Sequence, residues 1–162
     1  MSTHTLTHTS RNRRFVLDTT ALISYFSPVF KRGSKITERA ITLIDTAFQY
    51  EYPILLSIPG VVFVEIFDKW FRGTDAPSQE FRAEFRAEVL QRVRSAPNIE
   101  IREVDAEILE MFLTLEDPDI NLENRDRIVL ASAAVLDSPL ITSDEKVIQY
   151  VRRHQVIPAI IS

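Results

Sequence analysis

Short apolar runs alternate with helical stretches along most of this chain. Phe15-Val16-Leu17, Ile54-Leu55-Leu56, Ile99-Glu100-Ile101 and Leu140-Ile141 have the composition of buried strands, and Val156-Ile157 is a weaker fifth. Between the first two, Ile36, Ala40, Leu43, Ile44, Ala47 and Phe48 share one helical face, and the pattern stops before Pro53. Pro59 suits the start of the next helix, which carries Val62, Ile66 and Trp70 at four-residue steps. Near Ser78 to Arg94 the tetrapeptide Phe-Arg-Ala-Glu occurs twice in succession, stacking Phe81, Phe85 and Val89 in one stripe. A further helix is predicted from about Asp105 to Leu115, broken by Asp117-Pro118-Asp119. Ile128 to Leu136 is almost wholly apolar, and its Ala131, Ser132, Ala133 and Ala134 let a helix lie close against a sheet. Strands alternating with helices predict an α/β fold with a parallel sheet.

At 162 residues, 45% hydrophobic, the chain has the size and core-forming content of one globular domain. The Thr- and Ser-rich segment 1–13 lacks periodic apolar positions and is expected to be a tail, leaving 14–162 as the domain, with a helical insertion at about 74–96. The absence of cysteine removes disulfides, thiolate nucleophiles and cysteine-zinc sites, and fits a reducing cytoplasm. No apolar run has the length of a signal peptide or a bilayer span. A net charge of −4 argues against a protein that coats nucleic acid, yet it leaves room for a nucleic-acid substrate if part of the negative charge serves a cation.

Four acidic residues stand where these elements begin or end. Asp18 closes the first strand, Glu65 interrupts an apolar helix, Asp126 opens the Ile128 helix and Asp144 follows the Leu140 strand. In an open parallel sheet the carboxyl ends of the strands form the ligand crevice, which puts Asp18, Asp126 and Asp144 on one edge; Glu65 must reach across from its helix. Converging carboxylates repel unless a cation neutralises them, so a shared divalent metal is the economical reason for the set. Each also has a local reading. Asp18 and Asp144 suit helix caps or turns, Asp126 suits a helix N-terminus, and Glu65 stands four residues before Lys69.

These motifs, in this order and spacing, resemble the PIN domain over essentially all of residues 14–158. Phe15-Val16-Leu17-Asp18-Thr19-Thr20-Ala21-Leu22-Ile23 is similar to the family's opening strand, and Val64-Glu65-Ile66 to its short second motif. Asp126-Arg127-Ile128-Val129-Leu130-Ala131-Ser132-Ala133 resembles the third acidic motif, and Pro139-Leu140-Ile141-Thr142-Ser143-Asp144 the motif that closes the site. The resemblance implies a three-layer α/β/α sandwich and a metal-dependent nuclease. Asp18, Glu65, Asp126 and Asp144 would be its catalytic residues, with Asp18, Asp126 and Asp144 as metal ligands and Thr20 and Thr142 as auxiliary hydroxyls. The implied cofactor is Mg2+ or Mn2+, and the implied products of RNA hydrolysis carry a 5′-phosphate and a 3′-hydroxyl. A small solitary domain of this kind resembles the VapC-type toxin of a type II toxin–antitoxin pair, which implies a cognate antitoxin and a homodimer.

Other readings compete. A PIN nuclease outside a toxin–antitoxin pair, or a PIN-like module that only binds, fits the same motifs. A phosphatase of the haloacid dehalogenase type needs a second aspartate two residues after the first, where this chain has Thr20, and a receiver domain needs an acidic pair before Asp18. His4 and His8 lie in the Thr-rich segment and are not expected to hold metal; His154, beside Arg152 and Arg153, is expected at the surface. Arg11, Arg13, Arg14, Arg125, Arg127, Arg152 and Arg153 are the candidate phosphate contacts for a rim around the acidic centre.

Overall fold

A computed structural model describes residues 13–49, 54–70 and 78–162, with the side chains of 69 and 70 outside that description. The segment 1–12, with His4, His8 and Arg11, therefore lies outside the described residues, as do the side chains of Lys69 and Trp70 and the first residues of the expected insertion. Arg13 already belongs to the first strand.

Five strands form one sheet: β1 (Arg13–Leu17), β2 (Ile54–Pro59), β3 (Ile99–Arg102), β4 (Leu140–Ile141) and β5 (Ile160–Ile161). Every pairing is parallel and the spatial order is β3-β2-β1-β4-β5. The chain builds outward from β1 to β3, then returns to the other side of β1 for β4 and β5. Right-handed crossovers consequently place the helices of the two halves on opposite faces, giving the three-layer α/β/α sandwich. The direction reverses between β1 and β4, and the carboxyl ends of these two strands open the crevice.

Asp18 caps α1 (Thr19–Tyr25), which passes into the single turn α2 (Ser27–Phe30). Neither helix is evident from hydrophobic periodicity, because α1 is short and its Thr, Ile and Tyr are indifferent helix formers. Helix α3 (Glu38–Phe48), capped by the Thr37 hydroxyl, buries Ala40, Ile44 and Ala47. Helix α4 (Val61–Trp70) begins two residues later than Pro59, which ends β2 instead. The reason is the neighbouring strand: Pro59 pairs with Arg102, and the Gly60 N–H donates to the Arg102 carbonyl at 2.9 Å.

The expected helix near Ser78 to Arg94 is continuous through α5 (Gln79–Glu84), a π-helical stretch (Phe85–Leu90) and α6 (Gln91–Ser95). Side chains spaced by four drift about 40° per step around an ordinary helix. The wider π turn takes up this drift, and Phe85, Val89 and Val93 are all buried. Phe85 and Phe81 pack against Phe30 and Phe67, as an amphipathic stripe should.

Helix α7 (Ala106–Thr114) is capped by Asp105 and packs on α8 (Asn124–Val135), whose Val129 to Ala133 are buried. Helix α9 (Glu145–His154) ends at Gln155, which turns left-handed at φ 51°. That turn carries the chain past Val156-Ile157, so the fifth strand forms at Ile160–Ile161, later than expected, with the Thr142 N–H donating to the Ile161 carbonyl at 3.0 Å. Among the described residues no helix is long and apolar enough to cross a membrane.

Candidate active site

The fully buried strand end Val16-Leu17 delivers Asp18 to the crevice floor, where it is 6% exposed. Its position after the strand and before α1 makes it an N-cap, and the Ala21 N–H donates to Oδ1 at 2.9 Å. Two hydroxyls also donate to it, Thr20 to Oδ1 at 2.8 Å and Thr142 to Oδ2. Each hydroxyl is aimed by a backbone N–H that donates to it: Ser143 to Thr20 and Asp144 to Thr142, both at 3.0 Å. Thus the segment after β4 is tied to the segment after β1 through the carboxylate between them.

All of these donors are uncharged. Burial pushes the Asp18 carboxyl up to about 7 from its ordinary 3.8; the Thr142, Ala21 and Thr20 hydrogen bonds pull against this, and the negative charge of Asp144 adds to it. At neutral pH the chain by itself does not hold Asp18 firmly as an anion.

Glu65 sits in the first half of α4 and is 4% exposed among apolar neighbours. The Thr19 hydroxyl donates to its Oε2. Asp126 is the third residue of α8, and its Oδ2 accepts from the Glu123 N–H at 3.2 Å in a reciprocal capping arrangement. Asp144 caps α9, with Oδ1 accepting from Lys146 and Val147 N–H groups at 2.9 and 3.1 Å. The local capping roles are therefore real for three of the four residues. They do not exclude a joint one, since capping employs one or two of the several lone pairs a carboxylate offers.

The joint arrangement is a cavity lined by Asp18, Thr19, Thr20, Glu65, Asp126, Val129, Asp144 and Val147. All four acidic residues singled out in the sequence meet there, as does Thr20, while Thr142 stands behind Asp18. The space between them is about 10 Å3, room for roughly one water-sized body. Among the described residues no three carboxylates already close on one point as a metal cluster. Asp18 and Glu65 are buried, whereas Asp126 and Asp144 are only half-buried. The donor set suits a hard divalent cation such as Mg2+ or Mn2+: it is all oxygen and carboxylate-rich, and Asp18 on its floor accepts hydrogen bonds from uncharged donors.

Thr19 is the site residue that sequence reasoning missed. The available signal was the helix N-terminus itself, because a hydroxyl at the first helical position after an aspartate cap lies at the mouth of the crevice.

Of the expected arginine rim, Arg125 and Arg127 adjoin Asp126 in the first turn of α8, Arg11 lies outside the described residues, and the other four are differently placed. Arg13 and Arg14 begin β1, and Arg152 and Arg153 end α9, so they occupy the far ends of elements whose near ends carry Asp18 and Asp144. Arg125 is close to the site but pairs with Asp68 and Glu123. His154 is at the surface, as expected, and its ring is bonded to Asp117 at 2.8 Å.

A family model, the PIN domain, matches residues 15–153. Among solved structures, the fold is similar to a chain of VapBC2 from Rickettsia felis bound to a DNA fragment from its promoter, with TM-score 0.60, 11% identity, and coverage of 90% of this chain and 96% of that one. It is also similar to VapBC-5 of Mycobacterium tuberculosis, a member of the VapBC family of toxin–antitoxin systems (TM-score 0.58, 18% identity, 92% and 98% covered). FitAcB from Neisseria gonorrhoeae gives TM-score 0.57 at 13% identity, with 91% and 96% covered. No curated protein sequence matches the chain.

Proposed function

We propose, starting from the fact that the chain belongs to the PIN domain family, that it is a metal-dependent ribonuclease and the toxin of a type II toxin–antitoxin pair. One observation carries the reading: carboxylates from four separate elements line a single cavity at the point where the strand order reverses. When bound, Mg2+ or Mn2+ would polarise the scissile phosphate and lower the pKa of an attacking water.

The chain's own residues divide the remaining work. Asp18, Asp126 and Asp144 supply the ligand oxygens, with Asp18 held in place by Thr20 and Thr142. Glu65, which accepts a hydrogen bond from the Thr19 hydroxyl, takes a proton from the attacking water or holds that water. Helix α8 keeps its N-terminal end, and so Asp126, against the crevice. The hydrolysis leaves a 5′-phosphate and a 3′-hydroxyl.

The toxin assignment draws on the likeness to the folds of VapBC2, bound to its own promoter, and VapBC-5, from a family of toxin–antitoxin systems. Within it, a cognate antitoxin would bind over the crevice and the chain would form a homodimer. A neighbouring short reading frame whose product co-purifies with this chain and suppresses cleavage is the expected partner.

The test of the activity is cleavage of single-stranded RNA in Mn2+ or Mg2+. Asp18→Asn should lower the rate at least about 1,000-fold, comparable to losing a principal source of transition-state charge stabilisation, while the circular dichroism spectrum is retained. Cleavage at the parental rate by the folded variant overturns the assignment.

A further inference from the structure

Next to the acidic cavity, and sharing Thr20 with it, lies a second one of about 400 Å3 lined by Thr20, Ile23, Ser24, Arg32, Gly33, Ser34 and Lys35. Its volume is in the range of small-ligand sites. Half-buried Ile23 gives it an apolar wall, Thr20, Ser24 and Ser34 give hydroxyls, and exposed Arg32 and Lys35 give positive charge.

The loop that carries the two cations is fixed at both ends. After α2 the backbone turns left-handed at Lys31, φ 51°, and the Arg32 N–H donates to the Ser27 carbonyl at 3.2 Å. At the other end the Lys35 N–H donates to the buried Ser24 hydroxyl at 3.0 Å, and Ile36 is buried. The charges are thus presented from a held frame.

The charge pattern is unusual for this chain. Although the net charge is −4, no Asp or Glu stands between Asp18 and Glu38, and that interval contains Lys31, Arg32 and Lys35. The cavity bordered by neighbours of Glu65 and Asp126 has a different lining: two acids, Asp68 and Glu123, stand with its Arg125, whereas no acid lines the Arg32/Lys35 cavity. A polyanion that enters the acidic centre is accordingly favoured on the Thr20 flank.

We propose that the Arg32/Lys35 cavity is the subsite for the nucleotide adjoining the scissile phosphate of single-stranded RNA. The base or ribose lies along Ile23, the adjacent phosphate meets Arg32 and Lys35, and Thr20 marks the boundary with the cleavage centre. This rests on the ribonuclease reading and adds the direction in which the strand leaves the metal site.

The experiment is fluorescence anisotropy of a labelled ten-nucleotide single-stranded RNA, with Ca2+ in place of Mg2+, across a salt series. Arg32→Gln/Lys35→Gln should weaken binding by about tenfold or more and make the slope of log K against log salt shallower by about 0.7 for each phosphate no longer neutralised. Lys35→Arg should bind like the parent. In Mn2+ the double variant should show the loss mainly in KM. Parental affinity and parental slope in the double variant overturn the subsite.

The two readings fail differently. RNA that is bound through Arg32 and Lys35 yet never cut in Mn2+ or Mg2+ supports the subsite and removes the nuclease. RNA that is cut while binding ignores both cations removes the subsite alone. A parental protein that does not bind this RNA in Ca2+ removes the subsite, and cleavage in Mn2+ or Mg2+ then decides the nuclease separately.

Discussion

Asp18 and Asp117 have almost the same low exposure, 6% and 8%, but Asp18 lies deep at the crevice floor and Asp117 close to the surface, and their carboxyl groups are driven in opposite directions. Asp18 is surrounded by uncharged donors and burial pushes it up to about 7. Asp117 is held down at about 2, chiefly by its hydrogen bond to His154, with the Asp119 N–H and Arg153 reinforcing it against burial. Arg153 reaches both of its oxygens, at 3.1 and 2.9 Å. The difference separates two uses of a buried acid. Asp117 carries its counter-charge within the chain and ties the turn after α7 to the end of α9. Among the described residues Asp18 is oriented by hydroxyls and a backbone N–H and by no cation, an arrangement that suits a group given its positive charge from outside.

The strongest way to break this contrast is Asp18→Asn in protein stripped of divalent metal. Moving a carboxyl from 3.8 to about 7 sets an upper limit of about 4 kcal/mol on the cost of ionising it in place. At pH 8 the variant should therefore unfold at higher denaturant concentration than the parent, and Mn2+ should raise the melting temperature of the parent far more than that of the variant. A parent more stable than the variant under metal-free conditions at pH 8 would contradict the role given to burial.

The pH profile sharpens the same comparison. Because folded Asp18 keeps a proton that the unfolded chain releases, its contribution is most favourable below about 4 and is lost as pH rises through about 7. Asp117 works the other way: its stabilisation is present above about 4 and is lost as pH falls toward about 2. Metal-free unfolding curves should show both arms, Asp18→Asn should flatten the upper one, and Asp117→Asn should flatten the lower. Asp117→Asn should also lower the melting temperature at pH 7 by several degrees, because Arg153 and His154 lose their shared partner.

A smaller effect is expected from Thr142→Val. Losing one hydrogen bond to the carboxylate favours the protonated form of Asp18, so the apparent Mn2+ affinity at pH 7 should fall about tenfold, the equivalent of about 1.4 kcal/mol, as read by titration of the melting temperature. An unchanged titration would mean that the Thr142 hydroxyl serves only to join the segments after β1 and β4.

Much of the site was readable because its residues punctuate elements. Asp18 follows three consecutive buried residues, Asp126 opens a helix and Asp144 follows a strand, so the rule that crevices form at the carboxyl ends of parallel strands was sufficient to bring them together. Glu65 was conspicuous for its apolar neighbours. The arginines illustrate the limit of this reasoning. Arg13 and Arg14 adjoin the first motif in sequence but stand at the opposite end of β1, whereas Arg32 and Lys35, beyond α1, are brought back beside Thr20.

The amino-acid order by itself determined the alternation of strands and helices, the parallel sheet and the four acidic positions, since each depends on periodicity or on residues adjacent along the chain. The strand order β3-β2-β1-β4-β5, the shift of the last strand to Ile160–Ile161, the Thr19 hydrogen bond to Glu65 and the identity of the cationic flank were decided only by tertiary structure. These depend on which distant segments pack against one another, and burial and pairing between remote residues leave no periodic trace in the chain.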